Sequence, residues 1–204
     1  MRIALVTETF LPSTDGVVTR LVEACHYFVS QGHELLIICP DLGVDDFEGQ
    51  RVAGMRAVTF PFYKSRPWAL PSTKVKKLLA EFEPDVVHAA NPLLLAAAGV
   101  KYARELDLPL LASYHTHIPK YLDYYRAEKH LKPLVWKYII DTHNKADINL
   151  CTSKAMYDEL TEQGMERLHV LQRGVDVNRF HPDKKTEAMR MKLTGGHPER
   201  RLLL

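Results

Sequence analysis

RIALVTETFLPSTDGVVTRLVEACHYFVSQGHELLIICP, Arg2–Pro40, decides the fold. Arg2–Val6 is a short apolar run of the kind that is buried on both faces of a sheet. After a polar loop, Val18, Leu21, Val22, Cys25, Phe28 and Val29 recur at i, i+3 and i+4, the stripe of an amphipathic helix that Gly32 ends. His33–Pro40 is a second apolar strand. Two continuous apolar strands joined by a helix make the repeating unit of a parallel sheet covered on both faces.

The same alternation runs outward along the chain. RVAGMRAVTF (Arg51–Phe60) reads as a third, more polar strand nearer an edge. Ser72 is placed to cap a helix that carries Val75, Leu78, Leu79 and Phe82 on one side. PDVVHA, LPLLASY, DINLCT and LHVLQRG are the remaining strands. Between them lie the helix PLLLAAAGVKYARELD, a tyrosine- and lysine-rich helical region from about Pro119 to Lys145, and the helix SKAMYDELTEQG with Ser153 as N-cap. The expected fold is therefore α/β with a doubly wound parallel sheet. GVDVNRFHPDKK reads as a domain exit. The expected division is a domain over residues 1–180, then a linker and the first strand of a second domain over 181–204. An apolar LLL at Leu202–Leu204 reads as a strand cut at its start, so the chain is expected to be a fragment.

Bulk properties narrow the class. The 204 residues are 46% hydrophobic and 25% charged, which is ordinary for a soluble globular protein. A formal charge of +2 is too small to argue for nucleic acid. Cys25, Cys39 and Cys151 have no C-x-x-C spacing and sit in apolar stretches, as buried thiols of a reducing compartment do. The opening MRIALVTETF has no signal-peptide pattern, and no segment approaches the ~20 apolar residues that cross a bilayer. A soluble or peripheral protein is expected.

Ligands of an open parallel sheet bind at the carboxyl ends of its strands, near the switch point. Three loops there carry unusual chemistry. In Thr7–Thr19, Asp15, Gly16 and Val17 open the first helix. The backbone N–H groups of such an end suit an anion such as a diphosphate, and the same residues also read as a turn glycine behind an N-capping aspartate. Neither G-x-G-x-x-G nor G-x-x-x-x-G-K-[ST] is present, which counts against a nicotinamide oxidoreductase and a P-loop enzyme. In SYHTHIPKYL (Ser113–Leu122), His115 and His117 alternate past a strand, and an extended backbone would put them about 6–7 Å apart on one side. Zinc needs three or four ligands, and no third is paired with them. The open readings are one sugar-binding or catalytic histidine, or a histidine hydrogen-bonded within its loop. In QRGVDVNRFHP, Arg173 and Gly174 follow a strand, placing either a guanidinium at the cleft mouth or an arginine before a turn. Finally, Lys120, Tyr121, Lys132, Trp136 and Lys137 belong to a stretch whose lysines and aromatics match a membrane interface, or a helix pair with aromatic core contacts.

TETFLPSTDGVVTR, ASYHTHIPKYL, NLCTSKAM, QRGVDVNRFHP and EAMRMKLTGGHPE, in this order, resemble the N-terminal domain of family 4 glycosyltransferases. Within that family the resemblance is strongest to the members that make the sulfolipid sulfoquinovosyl diacylglycerol in cyanobacteria and plastids. It implies a Rossmann-like domain forming the N-terminal half of a GT-B fold. It also implies a retaining transfer of sulfoquinovose from a UDP-sugar to diacylglycerol, with no metal or other cofactor. The N-terminal domain of such enzymes mainly holds the acceptor, and a C-terminal domain holds the nucleotide. By resemblance Gly16 approaches the donor diphosphate, His115 contacts the transferred sugar, and Arg173 and Gly174 lead out of the cleft. Arg20, Tyr114, His117, Lys120 and Tyr121 are candidates for acceptor or sugar contacts, and Lys132, Trp136 and Lys137 for membrane contact. The family's Gly-Arg-Leu loop, phosphate-gripping lysine and later glutamate pair are not in the sequence, so the chain alone is expected to be inactive. A cytoplasmic protein, peripheral on the inner face of a plasma or thylakoid membrane, is implied. The alternatives are another family 4 transferase using UDP-glucose, UDP-galactose or a mannosyl donor, and a non-catalytic module that binds a membrane or partner.

Overall fold

The computed structural model describes residues 1–60, 63–124, 129–172 and 174–202, with side chains described at all of these except 60, 63–66, 124 and 129. Strand β1 (Arg2–Thr7) is central, and Ile3 to Thr7 are all buried. A run with no polar face is accommodated only between neighbouring strands and beneath helices. Helix α1 (Gly16–Ser30) crosses over to β2 (Glu34–Pro40), which pairs in parallel with β1 from Arg2↔Glu34 to Val6↔Ile38. A short β3 (Asp46–Phe47) turns back antiparallel to β4 (Gln50–Met55), and β4 joins β2 in parallel.

Here the expected third strand proves to be two. At Arg56, which is exposed, the chain leaves the main sheet. β5 (Ala57–Phe60) then pairs antiparallel with β6 (Tyr63–Ala69) in a separate two-stranded ribbon. Helix α2 (Lys74–Phe82) buries Val75, Leu78 and Leu79 as expected, but starts after Thr73; the Ser72 hydroxyl accepts the Lys74 N–H at 3.2 Å.

The chain then crosses to the other side of β1. There it lays down β7 (Val86–Ala90), α3 (Leu95–Glu105) and β8 (Leu110–Tyr114), followed by the short α4 (Ile118–Tyr121) and α5 (Lys132–His143). β9 (Ile148–Cys151), α6 (Lys154–Glu162) and β10 (Leu168–Val170) complete that side. The expected helix over 119–145 is thus α4 and α5, with 3-10 turns at Leu122–Tyr124 and Lys129–Leu131. The sheet order is β10-β9-β8-β7-β1-β2-β4-β3, parallel except at β3. β7 and β2 flank β1 and the winding reverses between β1 and β7, which makes their carboxyl ends the switch point.

Successive strand residues alternate faces. Ala4 and Val6 pack with α2 and α3, whereas Ile3 and Leu5 pack with Leu21 and Cys25 of α1. Helix α3 sits so close to β1 that a Cβ on Gly99 would lie 2.9 Å from the Val6 Cβ. Tyr114, Trp136, Ile139, Cys151 and Leu160 form a third cluster with α5 and α6. All three cysteines are buried free thiols, and burial pushes Cys25 and Cys39 up to about 12. No helix among the described residues is long and apolar enough to cross a membrane.

Met1–Leu171 is one compact unit and residues 172–204 a second. The second contains a turn at Pro182–Lys184 and helix α7 (Glu187–Thr194), capped by Thr186 at its start and by Gly195, at φ +64°, at its end. Of the expected terminal strand, Leu203 and Leu204 lie outside the described residues.

Candidate active site

Loops from the carboxyl ends of β1, β7 and β8 converge at the switch point. The first begins with Thr7, Glu8, Thr9 and Phe10, all buried although three are polar. Buried polar groups must find partners within the protein. The Thr7 hydroxyl donates to the Thr9 carbonyl at 2.9 Å. Glu8 reaches the head of α3: its Oε1 accepts the N–H groups of Leu93 (3.2 Å), Leu94 (2.7 Å) and Ala96 (2.9 Å), and its Oε2 that of Leu95 (3.2 Å). The α3 N-cap position is Leu94, which has no capping side chain, so a glutamate from another loop does that work. Burial raises the Glu8 pKa above the ordinary carboxylate value, and the four amide bonds oppose the rise.

The same loop ends at Asp15, whose Oδ1 accepts from Val17 N–H at 2.9 Å and Val18 N–H at 3.0 Å. The Val17 N–H, expected as an anion donor, is engaged by Asp15, and a carboxylate stands at the helix end. At Gly16, nothing lies within 4 Å of where a Cβ would be.

The second loop is tied to the third by Asn91, which holds φ +56°. Its N–H donates to the Ser113 carbonyl at 2.7 Å, and its Oδ1 accepts from His115 N–H at 3.3 Å and Thr116 N–H at 3.1 Å. The His115 ring turns inward, with Nε2 2.8 Å from Ser113 Oγ. On the other side of that hydroxyl, His88 Nε2 lies at 2.7 Å. Burial, then the Arg20 charge and His143, hold His115 down to about 4, while burial and His115 hold His88 down to about 3. Both rings are neutral near pH 7, and a neutral imidazole can both donate and accept hydrogen bonds. Arg20, on α1, donates to the Leu171 carbonyl at 2.8 Å and brings positive charge toward His115.

The other candidates are placed elsewhere. β8 ends at Tyr114, and His117 caps α4 instead of extending the strand. Its Nδ1 accepts the Lys120 N–H at 3.3 Å, its Nε2 lies 2.8 Å from Glu159 Oε1, and its ring packs 5.6 Å from Trp136. The two histidines therefore do not share one side of a strand. Tyr114 is corrected as a sugar contact: it is buried under α5 and α6, on the face opposite Ser113. Trp136 is corrected as a membrane contact, since it is buried in the same cluster. Lys120 and Tyr121 are exposed on α4, Lys132 pairs with Asp123 at 2.8 Å, and Lys137 with Asp141 at 2.7 Å. Gly174 is exposed in the second unit, and Arg173 lies outside the described residues. His88 and Asn91 lie in none of the stretches that resemble the family, and Glu8 and Ser113 lie in two of them without having been singled out. Only the position of Glu8 and Asn91 just past apolar strands signalled them.

The family model described as Glycosyltransferase Family 4 matches residues 14–179. A GDP-mannose-dependent alpha-mannosyltransferase of Corynebacterium glutamicum is 34% identical over 200 residues, covering 93% of this chain and 47% of that protein. Sulfoquinovosyl transferase SQD2 of Arabidopsis thaliana is 32% identical over 212 residues, covering 100% of this chain and 41% of that protein. Among solved structures, sucrose-phosphate synthase from Thermosynechococcus elongatus aligns with a TM-score of 0.62 at 14% identity, covering 95% of this chain and 52% of that one. This last likeness is one of fold, the doubly wound α/β domain of GT-B type. The chain spans about half the length of the curated relatives it matches.

Proposed function

The chain belongs to glycosyltransferase family 4, and from that premise we propose that it is the acceptor-side part of a retaining transferase that moves sulfoquinovose from a UDP-sugar to diacylglycerol. The observation that carries the reading is His115, held neutral and fixed by Ser113 and Asn91 at the carboxyl end of β8, beside the switch point. Departure of a nucleoside diphosphate builds negative charge on phosphate and oxocarbenium character on the sugar. Fixed dipoles stabilise that state most in a water-excluded cleft. His115 would meet the sugar, and the backbone at Gly16, in open space at the head of α1, would meet the phosphate. A nucleotide-holding domain is part of the proposal, since the relatives run to about twice this length. So is a peripheral place on a membrane that supplies the lipid. A second reading keeps the site and changes the donor to GDP-mannose, because the C. glutamicum relative is as similar as the sulfoquinovosyl one.

The test assays the chain, alone and joined to its downstream coding sequence, with UDP-sulfoquinovose, UDP-glucose, UDP-galactose and GDP-mannose on diacylglycerol vesicles. The expected result is transfer by the extended protein from the sulfonated donor only, lost in His115→Ala. Transfer from GDP-mannose alone would establish the second reading. Silence with every donor would overturn both and favour a non-catalytic binding module.

A further inference from the structure

His88 on β7, Ser113 on β8 and His115 just beyond β8 form an unbroken hydrogen-bonded line. Leu5 is in register with His88, and His88 with Leu111, so His88, Leu111 and Ser113 share the α1 face of the sheet. Ser113 is 1% exposed, and its Oγ stands 2.7 Å from His88 Nε2 and 2.8 Å from His115 Nε2. A hydroxyl has one proton to give. It donates to one of these rings, and the other ring must donate its Nε2–H to the oxygen. The two histidines therefore hold opposite neutral tautomers, one protonated at Nε2 and the other at Nδ1.

We infer that Ser113 and His88 are positioning residues for His115: they engage its Nε2, fix the plane of its ring, and leave Nδ1 as the ring nitrogen it offers to a sugar hydroxyl. Asn91 holds the other end of the same residue through the His115 N–H, so both backbone and ring are set before a ligand arrives. Because the tautomers of the two rings are coupled through one proton, a change at His88, which stands one strand deeper, alters whether His115 Nδ1 donates or accepts. The sugar role of His115 rests on the proposed function; the coupled tautomers do not.

The experiment is nuclear magnetic resonance on the chain with 15N-labelled histidine rings near pH 7. His88→Gln and His115→Gln assign the two signals among the ten histidines. Couplings from ring nitrogens to carbon-bound ring protons distinguish protonated from unprotonated nitrogen. The expected spectrum shows one ring protonated at Nε2 and the other at Nδ1. Finding the same tautomer in both overturns the inference. Ser113→Ala should shift the His115 tautomer and Ser113→Thr restore it, and an unchanged His115 signal in a folded Ser113→Ala protein overturns it too. If Ser113→Ala does not fold, the wild-type spectrum alone decides. No sugar donor is needed, so failure here leaves the transferase reading standing, and silence in the transfer assay leaves the tautomer result standing.

Discussion

Four amide N–H groups at the head of α3 would be orphaned inside the protein without Glu8, because Leu94 in the N-cap position has no side-chain oxygen to receive them. A buried donor left unpaired loses its full hydration without compensation, and bonds to a charged acceptor are among the stronger ones. Glu8→Ala should therefore lower unfolding free energy by about 3 kcal/mol, with Glu8→Gln intermediate because one acceptor oxygen remains. Urea denaturation checks this, and a Glu8→Ala midpoint equal to wild type would show that the carboxylate is not holding α3. None of this is legible along the chain. TETF reads as a polar loop, and its partners lie 85 to 88 positions later. His115 is legible, since its place after an apolar strand is visible locally. What orients it is not, because His88 in PDVVHA has the appearance of any strand residue and Ser113 of a strand end. The sequence shows which side chain can face a ligand, and long-range pairing determines how it is held.

Strands β1 and β2 could be read off because each is apolar without a polar face, the signature of burial between layers, and β7, β8 and β9 because apolar residues surround their single polar positions His88, Ser113 and Asn149. The ribbon β5–β6 could not, since Ala57–Phe60 continues the composition of β4 and only the departure of the chain at Arg56 separates them. Composition likewise marked the α4–α5 region without telling inside from outside. Its tryptophan packs inward against His117, while Leu131, at the end of the 3-10 turn before α5, and Leu134, in the first turn of α5, are 49% and 64% exposed beside Lys132. Exposed leucines flanked by lysines are what an anionic bilayer surface would receive. If this surface meets the membrane, Leu131→Glu combined with Leu134→Glu abolishes co-sedimentation with anionic vesicles and leaves the far-ultraviolet circular dichroism unchanged. Trp136→Ala should instead destabilise the fold, by about 3 kcal/mol. Vesicle binding that survives the double charge substitution would remove α5 as the contact.

Across the whole molecule, stability at mildly acid pH depends on three histidines kept neutral by their surroundings. Burial first lowers each: His88 to about 3, His115 to about 4 and His143 to about 4, the last opposed by its bond to Asn149. In the unfolded chain each would titrate near the ordinary ~6.5. Between pH 6.5 and about 4 the unfolded state therefore binds protons that the folded state refuses, and stability falls as pH falls, by up to about 1.4 kcal/mol per pH unit for each ring. Glu8 works in the opposite direction, because a raised carboxyl pKa favours the folded state as protons are added. Asp147 and Glu105, held low by bonds to Arg104 and Lys76, begin to matter only below the ordinary carboxylate range. The prediction is that the three rings outweigh the one carboxyl. The urea midpoint should thus be lower at pH 5 than at pH 7.5, and His143→Gln should remove about a third of the histidine contribution to that dependence. A midpoint unchanged across this range would mean that the histidines take up protons without unfolding. The neutral pair at Ser113 would then not survive acid, and the pair and the core would titrate separately; a falling midpoint instead ties the neutral state of His115 to the same burial that holds the sheet together.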